Sequence, residues 1–282
     1  MDGSQKDFLN HGENPLTPEE TERLMETVVG VARRKLVGRR FIEVYGPLGP
    51  GVQAIPFDEF QGATPGAVDI VGEKETATVF TDHRRFRVIP IIYKDFLLHW
   101  RDILAARSGL PLDVSAAAGA AGFCAEKEDE LIFYGDKNLG QEGLLTAEGR
   151  STIRRGDWEK TGGGLQDVIS ATETLFSNGH YGPYAMVTSP KLFALLHRVS
   201  EQTGVLEIDN LRQLLEGGVY RSNVFKDDRA VVVSLGSENL DLALSLDMCI
   251  AYLGAERMNH PFRVLECVAL RIKHADAICT IE

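Results

Sequence analysis

Glu256 and His260 stand four residues apart, a spacing that could put a carboxylate and an imidazole on one helix face as a metal site. Their surroundings argue otherwise, because Met258-Asn259-His260-Pro261 reads as a turn between strands. The seven histidines are scattered, and no H-E-x-x-H motif occurs. The sequence also lacks a G-x-S-x-G nucleophile elbow and a G-x-x-x-x-G-K-[ST] phosphate loop. Gly162-Gly163-Gly164 follows no convincing strand, so it reads as a flexible surface turn rather than a nucleotide cradle. The Glu-x-x-His pairs of di-iron helical bundles are missing too. Carboxylates are plentiful, but spacing alone singles out no acid/base pair. The expectation is a chain that is not an enzyme, with no catalytic residues, cofactor or metal.

Composition narrows the partners. Net charge is −11, which argues against a general nucleic-acid coat, since neutralising phosphates needs clustered Lys and Arg. Arg33-Arg34-Lys35 with Arg39-Arg40 is a local exception, read either as a basic patch or as the dipole-favoured C-terminus of a helix. Cys124, Cys249, Cys267 and Cys279 are far apart and form no C-x-x-C pair; with apolar neighbours they read as small buried hydrophobes. No apolar run approaches the roughly 20 residues a membrane helix needs. The N-terminus lacks the basic-then-apolar pattern of a signal peptide. These features together favour a cytoplasmic protein with no membrane partner.

The elements that would position any site can be read along the chain. Residues 1–16 are polar and read as a mobile arm. Thr17-Pro18-Glu19-Glu20 is a capping box with Pro at the first helical position, so a helix begins there, with Leu24, Val28, Val31 and Leu36 on its apolar stripe. It stops at Gly38, and a short strand alternates Phe41, Glu43 and Tyr45 against Ile42 and Val44. Gly46-Pro47-Leu48-Gly49-Pro50-Gly51 then launches an excursion over 49–90, two strands around a loose tip. An isolated two-stranded hairpin is marginal in water, so unless this arm folds back it needs a neighbouring subunit.

A strand at 89–93 is followed by a helical turn through Phe96, Leu97, Trp100 and Ile103, then an Ala-rich helix over 116–132 ending near Gly135. Its run Glu126-Lys127-Glu128-Asp129-Glu130 reads as a solvated face or one meeting a neighbour. From 140 onward helices and strands alternate, suggesting a second lobe. Helices are predicted at 165–176, 191–199 and 208–215. Strands are predicted at 184–188, 219–225, 230–235, 240–246, 250–253, 262–271 and 277–281.

The order of helix, Gly38-Arg39-Arg40, strand and Gly46-Pro47-Leu48-Gly49 resembles the start of the encapsulin shell proteins. The likeness continues through Tyr93-Lys94-Asp95-Phe96, the stretch 128–135, Gly182-Pro183-Tyr184-Ala185, Val205-Leu206-Glu207, Asp241-Leu242-Ala243 and Asn259-His260-Pro261-Phe262-Arg263. It implies an α+β chain with the tailed-phage major capsid (HK97-like) fold. The implied divisions are a flexible arm (1–16), an N-terminal helix and start of the peripheral domain (17–48), and an extended loop (49–90). The peripheral domain with its long helix (91–135), an axial domain (136–230) and strands returning to the peripheral and axial domains (231–282) complete it.

By this resemblance the chain is a homo-oligomeric shell protein of an icosahedral bacterial nanocompartment, enclosing cargo enzymes that carry a short targeting peptide. The Gly-rich arm and the Asn-His-Pro-Phe segment look most like members that store iron around ferritin-like cargo. Positions matching the peptide-docking surface are Leu36, Arg39, Phe41 and Glu43, with Ile250, Tyr252 and Leu253 opposite; core packing is the other reading of the apolar ones. Glu201, Gln202, Thr203 and Gly204 are the candidates for a pore loop. A phage or prophage head protein is the alternative.

Overall fold

The computed structural model describes residues 7–61, 66–75, 78, 80–199 and 204–282. In chain order the elements are α1 (Pro18–Lys35), β1 (Val44–Tyr45), β2 (Ala54–Gln61), β3 (Phe80–Val88), β4 (Ile91–Leu98), α2 (Trp100–Arg107) and α3 (Ser115–Tyr134). Then come β5 (Gly135–Asp136), β6 (Gln141–Glu142), β7 (Ser151–Ile153), α4 (Gly163–Ser177), β8 (Tyr184–Thr188), α5 (Pro190–Leu195) and α6 (Glu207–Leu214). Strands β9 (Gly218–Arg221), β10 (Ala230–Ser234), β11 (Leu240–Tyr252), β12 (His260–Ile272) and β13 (Ile278–Ile281) follow.

Two sheets organise the chain. One has the order β1-β11-β12-β4 and is antiparallel except for the β1–β11 pair. The other has the order β7-β13-β10-β8-β9, with parallel pairs at both edges. Strand β10 is buried on both faces: Val231 and Val233 face the core under α1 and α3, while Ala230 and Val232 face the core under α4, α5 and α6. Such a strand reads as an unbroken apolar run, with each face satisfying a different layer.

The local signals decide where helices start. Thr17 accepts from the Glu20 N–H and the Glu20 carboxylate accepts from the Thr17 N–H, so the capping box forms; Ser189 caps α5 with Pro190 following. Along α1, Leu24, Val28, Ala32 and Leu36 recur every four residues and are buried. At the end of α3, Gly135 takes a φ of 71° and turns back so tightly that a Cβ there would meet the Gln141 carbonyl oxygen at 2.2 Å.

Several expectations need correction. Residues 7–16 are not a free arm, because Leu9 packs with Cys249 and Ala251 of β11 and Leu16 is buried in the main core. Residues 38–40 form a short 3-10 turn, and the strand after it is only Val44–Tyr45, with Phe41 and Ile42 both buried rather than alternating. Phe96 and Leu97 belong to β4, and the helix begins at Trp100. Periods of two and 3.6 are hard to separate over so short a stretch. The strands read at 240–246 and 250–253 are one strand, β11, with register irregularities between Leu244 and Cys249.

Gly163 and Gly164 open α4 instead of forming a surface turn. The Glu207 carboxylate accepts from the Gly162 and Leu165 N–H groups, so α6 supplies the anion that this helix end needs.

The arm over 49–90 is a hairpin of β2 and β3, paired from Ala54–Val88 to Gln61–Phe80. Its root folds back: Ile55 is buried with Ala243, Cys267 and Ala269 on the sheet. On the paired strand of the same root, Phe86 and Val88 are exposed, as are Ile91 and Tyr93 on the adjoining β4. All four cysteines are buried and unpaired. Among the described residues no helix is long and apolar enough to cross a membrane.

Candidate functional site

The turn leaving α1 is held from below by α3. Asp129 accepts from the Val37 N–H (3.0 and 3.1 Å) and the Gly38 N–H (2.9 Å), satisfying groups exposed at the end of the helix. The approach is close, since a Cβ on Gly38 would meet Ile132 Cδ1 at 2.5 Å. Burial pushes the Asp129 carboxyl up to about 7, against the pull of the Gly38 and Val37 N–H groups.

Next in the chain, Arg39 turns inward to three carboxylates. Its Nε and Nη2 donate to Glu128 (2.7 Å each), Nη2 also to Glu266 (2.7 Å), and Nη1 to Asp247 (2.7 Å). Glu128 and Glu266 are fully buried, whereas the Asp247 side chain is 68% exposed. Burial opposes the Arg39 charge, but Glu128 and Glu266 outweigh it and hold the guanidinium above its ordinary value. Burial, then the neighbouring Glu128 charge, raises Glu266 well above the usual carboxylate range. The expected solvated run over 126–130 is therefore corrected at its centre. Glu128 and Asp129 are buried, and only their neighbours face water.

Beside this lattice, α1 carries a groove. Two adjoining cavities of about 240 and 310 Å³ share Val29 and Arg33. Met25, Val29, Ala32, Leu36 and Met248 give it an apolar floor, with Glu22 and Glu26 at one end and Asp247 at the other. Arg33, Arg39 and Arg40 line the same cavities, so the groove sets an apolar floor among charges of both signs.

Of the seven residues implied for docking, the structure brings Leu36 and Arg39 to this groove. Phe41 is buried and stacks on Tyr220, ring centroids 5.6 Å apart. Ile250 and Tyr252 are buried in the main core, where Tyr252 contacts Phe262 and its hydroxyl meets His260 Nδ1 at 2.9 Å. Glu43 and Leu253 are exposed and line neither cavity. Met25, Val29 and Met248 line the groove and are not among those seven. The first two lie one position along α1 from Leu24 and Val28, on the flank of the buried stripe, which was their available signal. Of the pore-loop candidates, Glu201, Gln202 and Thr203 lie outside the described residues; Gly204 has a φ of 70° between the bridged Val199 and Leu206. Glu256 and Asn259 bridge across a tight turn, with Arg257 and Met258 at positive φ, and His260 already starts β12.

Comparison with known proteins agrees with this architecture. The family described as an encapsulating protein for peroxidase matches residues 6–269. The chain is 66% identical over 277 residues to the type 1 encapsulin shell protein EncA of Myxococcus xanthus, covering 98% of this chain and 96% of that one. The virus-like particle from Pyrococcus furiosus superposes with a TM-score of 0.77 at 21% identity, over 94% of this chain and 100% of that one. The capsid of Myoviridae phage XM1 superposes at 0.63 with 11% identity, over 85% and 88%. The fold is that of the tailed-phage capsid proteins, in α+β form.

Proposed function

The chain belongs to the encapsulin shell-protein family, structural proteins rather than enzymes, and from that premise we propose that its compartment captures cargo through the groove along α1. The supporting observation is the pairing of an apolar floor with an exposed acid: Met25, Val29, Leu36 and Met248 beside Asp247. A targeting peptide lays spaced Leu or Val side chains on that floor and sets an Arg against Asp247. Arg39, already committed to Glu128, Glu266 and Asp247, positions this surface and does not grip the peptide itself. Phe41, Ile250 and Tyr252 support the groove from the core.

Burial of one apolar side chain gives roughly 1.5–3 kcal/mol, so each site is weak and retention rests on many sites acting in one closed volume. The arm over 49–90, with Phe86 and Val88 exposed beside Ile91 and Tyr93 of β4, lies on a neighbouring subunit. The peripheral and axial domains divide as the resemblance implies, the five-stranded sheet and its helices forming the axial part. The compartment sits in the cytoplasm, where four unpaired cysteines are stable. Its cargo is ferritin-like and stores iron, a reading supported by the arm and by Asn259-His260-Pro261-Phe262.

Val29→Glu places a charge on the groove floor without touching the buried stripe. Shells should assemble and carry little cargo, measured as the cargo-to-shell ratio of purified particles. A normal ratio means the groove is not the docking site; if the variant does not assemble, the exposed Asp247→Asn carries the same comparison. Mass spectrometry of particles from the native host tests the cargo separately: a haem peroxidase in place of a ferritin-like bundle would overturn the iron-storage reading and leave the groove intact.

A further inference from the structure

A third cavity, about 640 Å³, opens where the end of α1 and the middle of α3 face α5 and the edge strand β9. Arg34, Lys35 and Arg40 enter it from the α1 side, and Arg221 and His197 from the other. Against them stand only Glu126 and Asp129, and the Asp129 oxygens are engaged by the Val37 and Gly38 N–H groups. None of Arg34, Lys35, Arg40 and Arg221 forms a salt bridge among the described residues, although the Arg40 charge acts on Asp129.

This is unexpected for the composition. With 41 acidic residues to 30 basic ones, carboxylates are in surplus. Some exposed cations elsewhere pair with them, as Lys191 with Asp228, Arg212 with Asp209 and Arg263 with Asp95. Four unpaired cations around one cavity repel one another unless an anion sits between them. The guanidinium of Arg40 is also fixed in place, its Nε and Nη2 donating to the Leu36 and Arg34 carbonyls (2.9 Å each).

We propose that this cleft binds a base-free oligophosphate, with Arg34, Arg40 and Arg221 holding separate phosphoryl groups and Lys35 adding charge. Guanidinium forks match phosphate oxygens bidentately. A volume of about 640 Å³ falls within the small-ligand range of about 300–1,000 Å³. The aromatic side chains nearby argue against a nucleotide. Arg221 covers the Phe193 ring at 5.4 Å and His197 contacts it at 4.8 Å, while Tyr220 stacks on Phe41. The cavity offers charge, and its rings already have partners.

Isothermal titration of assembled shells with tripolyphosphate tests this. Saturable binding near one site per subunit is expected. The Arg40→Gln/Arg221→Gln double variant should weaken it roughly tenfold or more, and Arg33→Gln, on the other groove, should leave it unchanged. Equal weakening by Arg33→Gln would mean diffuse surface charge and overturn the proposal. ATP binding roughly tenfold tighter than tripolyphosphate would mean that a base is recognised, which also overturns it. Binding to dissociated subunits but not to shells would show that a neighbouring copy's acidic segment fills the cleft instead. If the double variant fails to assemble, the exposed Arg34→Gln replaces it, and unchanged affinity there counts against the site.

Discussion

Arg39 and Arg40 are chain neighbours with opposite surroundings. One guanidinium is shared by three carboxylates, two of them fully buried; the other faces a cavity where cations outnumber acids and bonds only to backbone carbonyls. The turn after α1 separates them, so one basic run serves a buried lattice and a solvent-facing cleft. At Arg39 charge is used to fix geometry, and at Arg40 it is left without a salt bridge at the surface.

The contrast is broken most directly by Arg39→Met. Glu128 and Glu266 would remain buried without their cation, a loss of about 3–5 kcal/mol for a broken buried pair. Particle yield and the melting temperature at fixed subunit concentration should both fall sharply. A variant as stable as the parent would show that the lattice contributes nothing.

A smaller effect concerns pH. Asp129 sits at about 7 in the fold, against an ordinary value near 4. Between those limits the unfolded chain has released its proton while the folded chain keeps it, so stability from this group falls as pH rises from about 4 to 7. Glu266, also raised, adds a loss of the same sign above the ordinary carboxylate range. In Asp129→Asn and Glu266→Gln the corresponding parts of the slope should flatten, read as melting temperature against pH. An unchanged slope in both would mean that neither group keeps its proton in the fold. The smallest change is expected from Arg40→Gln, within about 0.5 kcal/mol, as for an exposed side chain. A cost comparable to Arg39→Met would erase the difference between the two residues.

Much of the architecture was legible because its signals are local. The capping box at Thr17, the Ser189-Pro190 start of α5, the long Ala-rich helix and the hairpin strands each carry their instructions within a few residues. The site was less legible because its partners are distant. Nothing near Glu128 announces Arg39, 89 residues away, and nothing near Asp129 announces the backbone of Val37 and Gly38. A helical-period reading held one clue: Glu128 lies four residues from both Cys124 and Ile132, and Asp129 four from Ala125 and Phe133, all buried. The apolar stripe runs straight through the charged run. Phe41 was misplaced for the opposite reason: a plausible alternation was read into a segment that is mostly turn.

The root of the hairpin arm is clamped at several points. The Leu48 and Gly49 N–H groups donate to the Leu244 and Ser245 carbonyls, Ser245 Oγ donates to the Gly49 carbonyl, and Arg271, paired with buried Asp241, reaches the Pro56 carbonyl at 3.3 Å. Ile55 and Phe57 are buried. The arm is thus a cantilever with a welded base: as far as Phe57 its direction is set by the body of its own subunit. Every copy of the chain therefore launches its arm on the same bearing, whatever that arm goes on to meet.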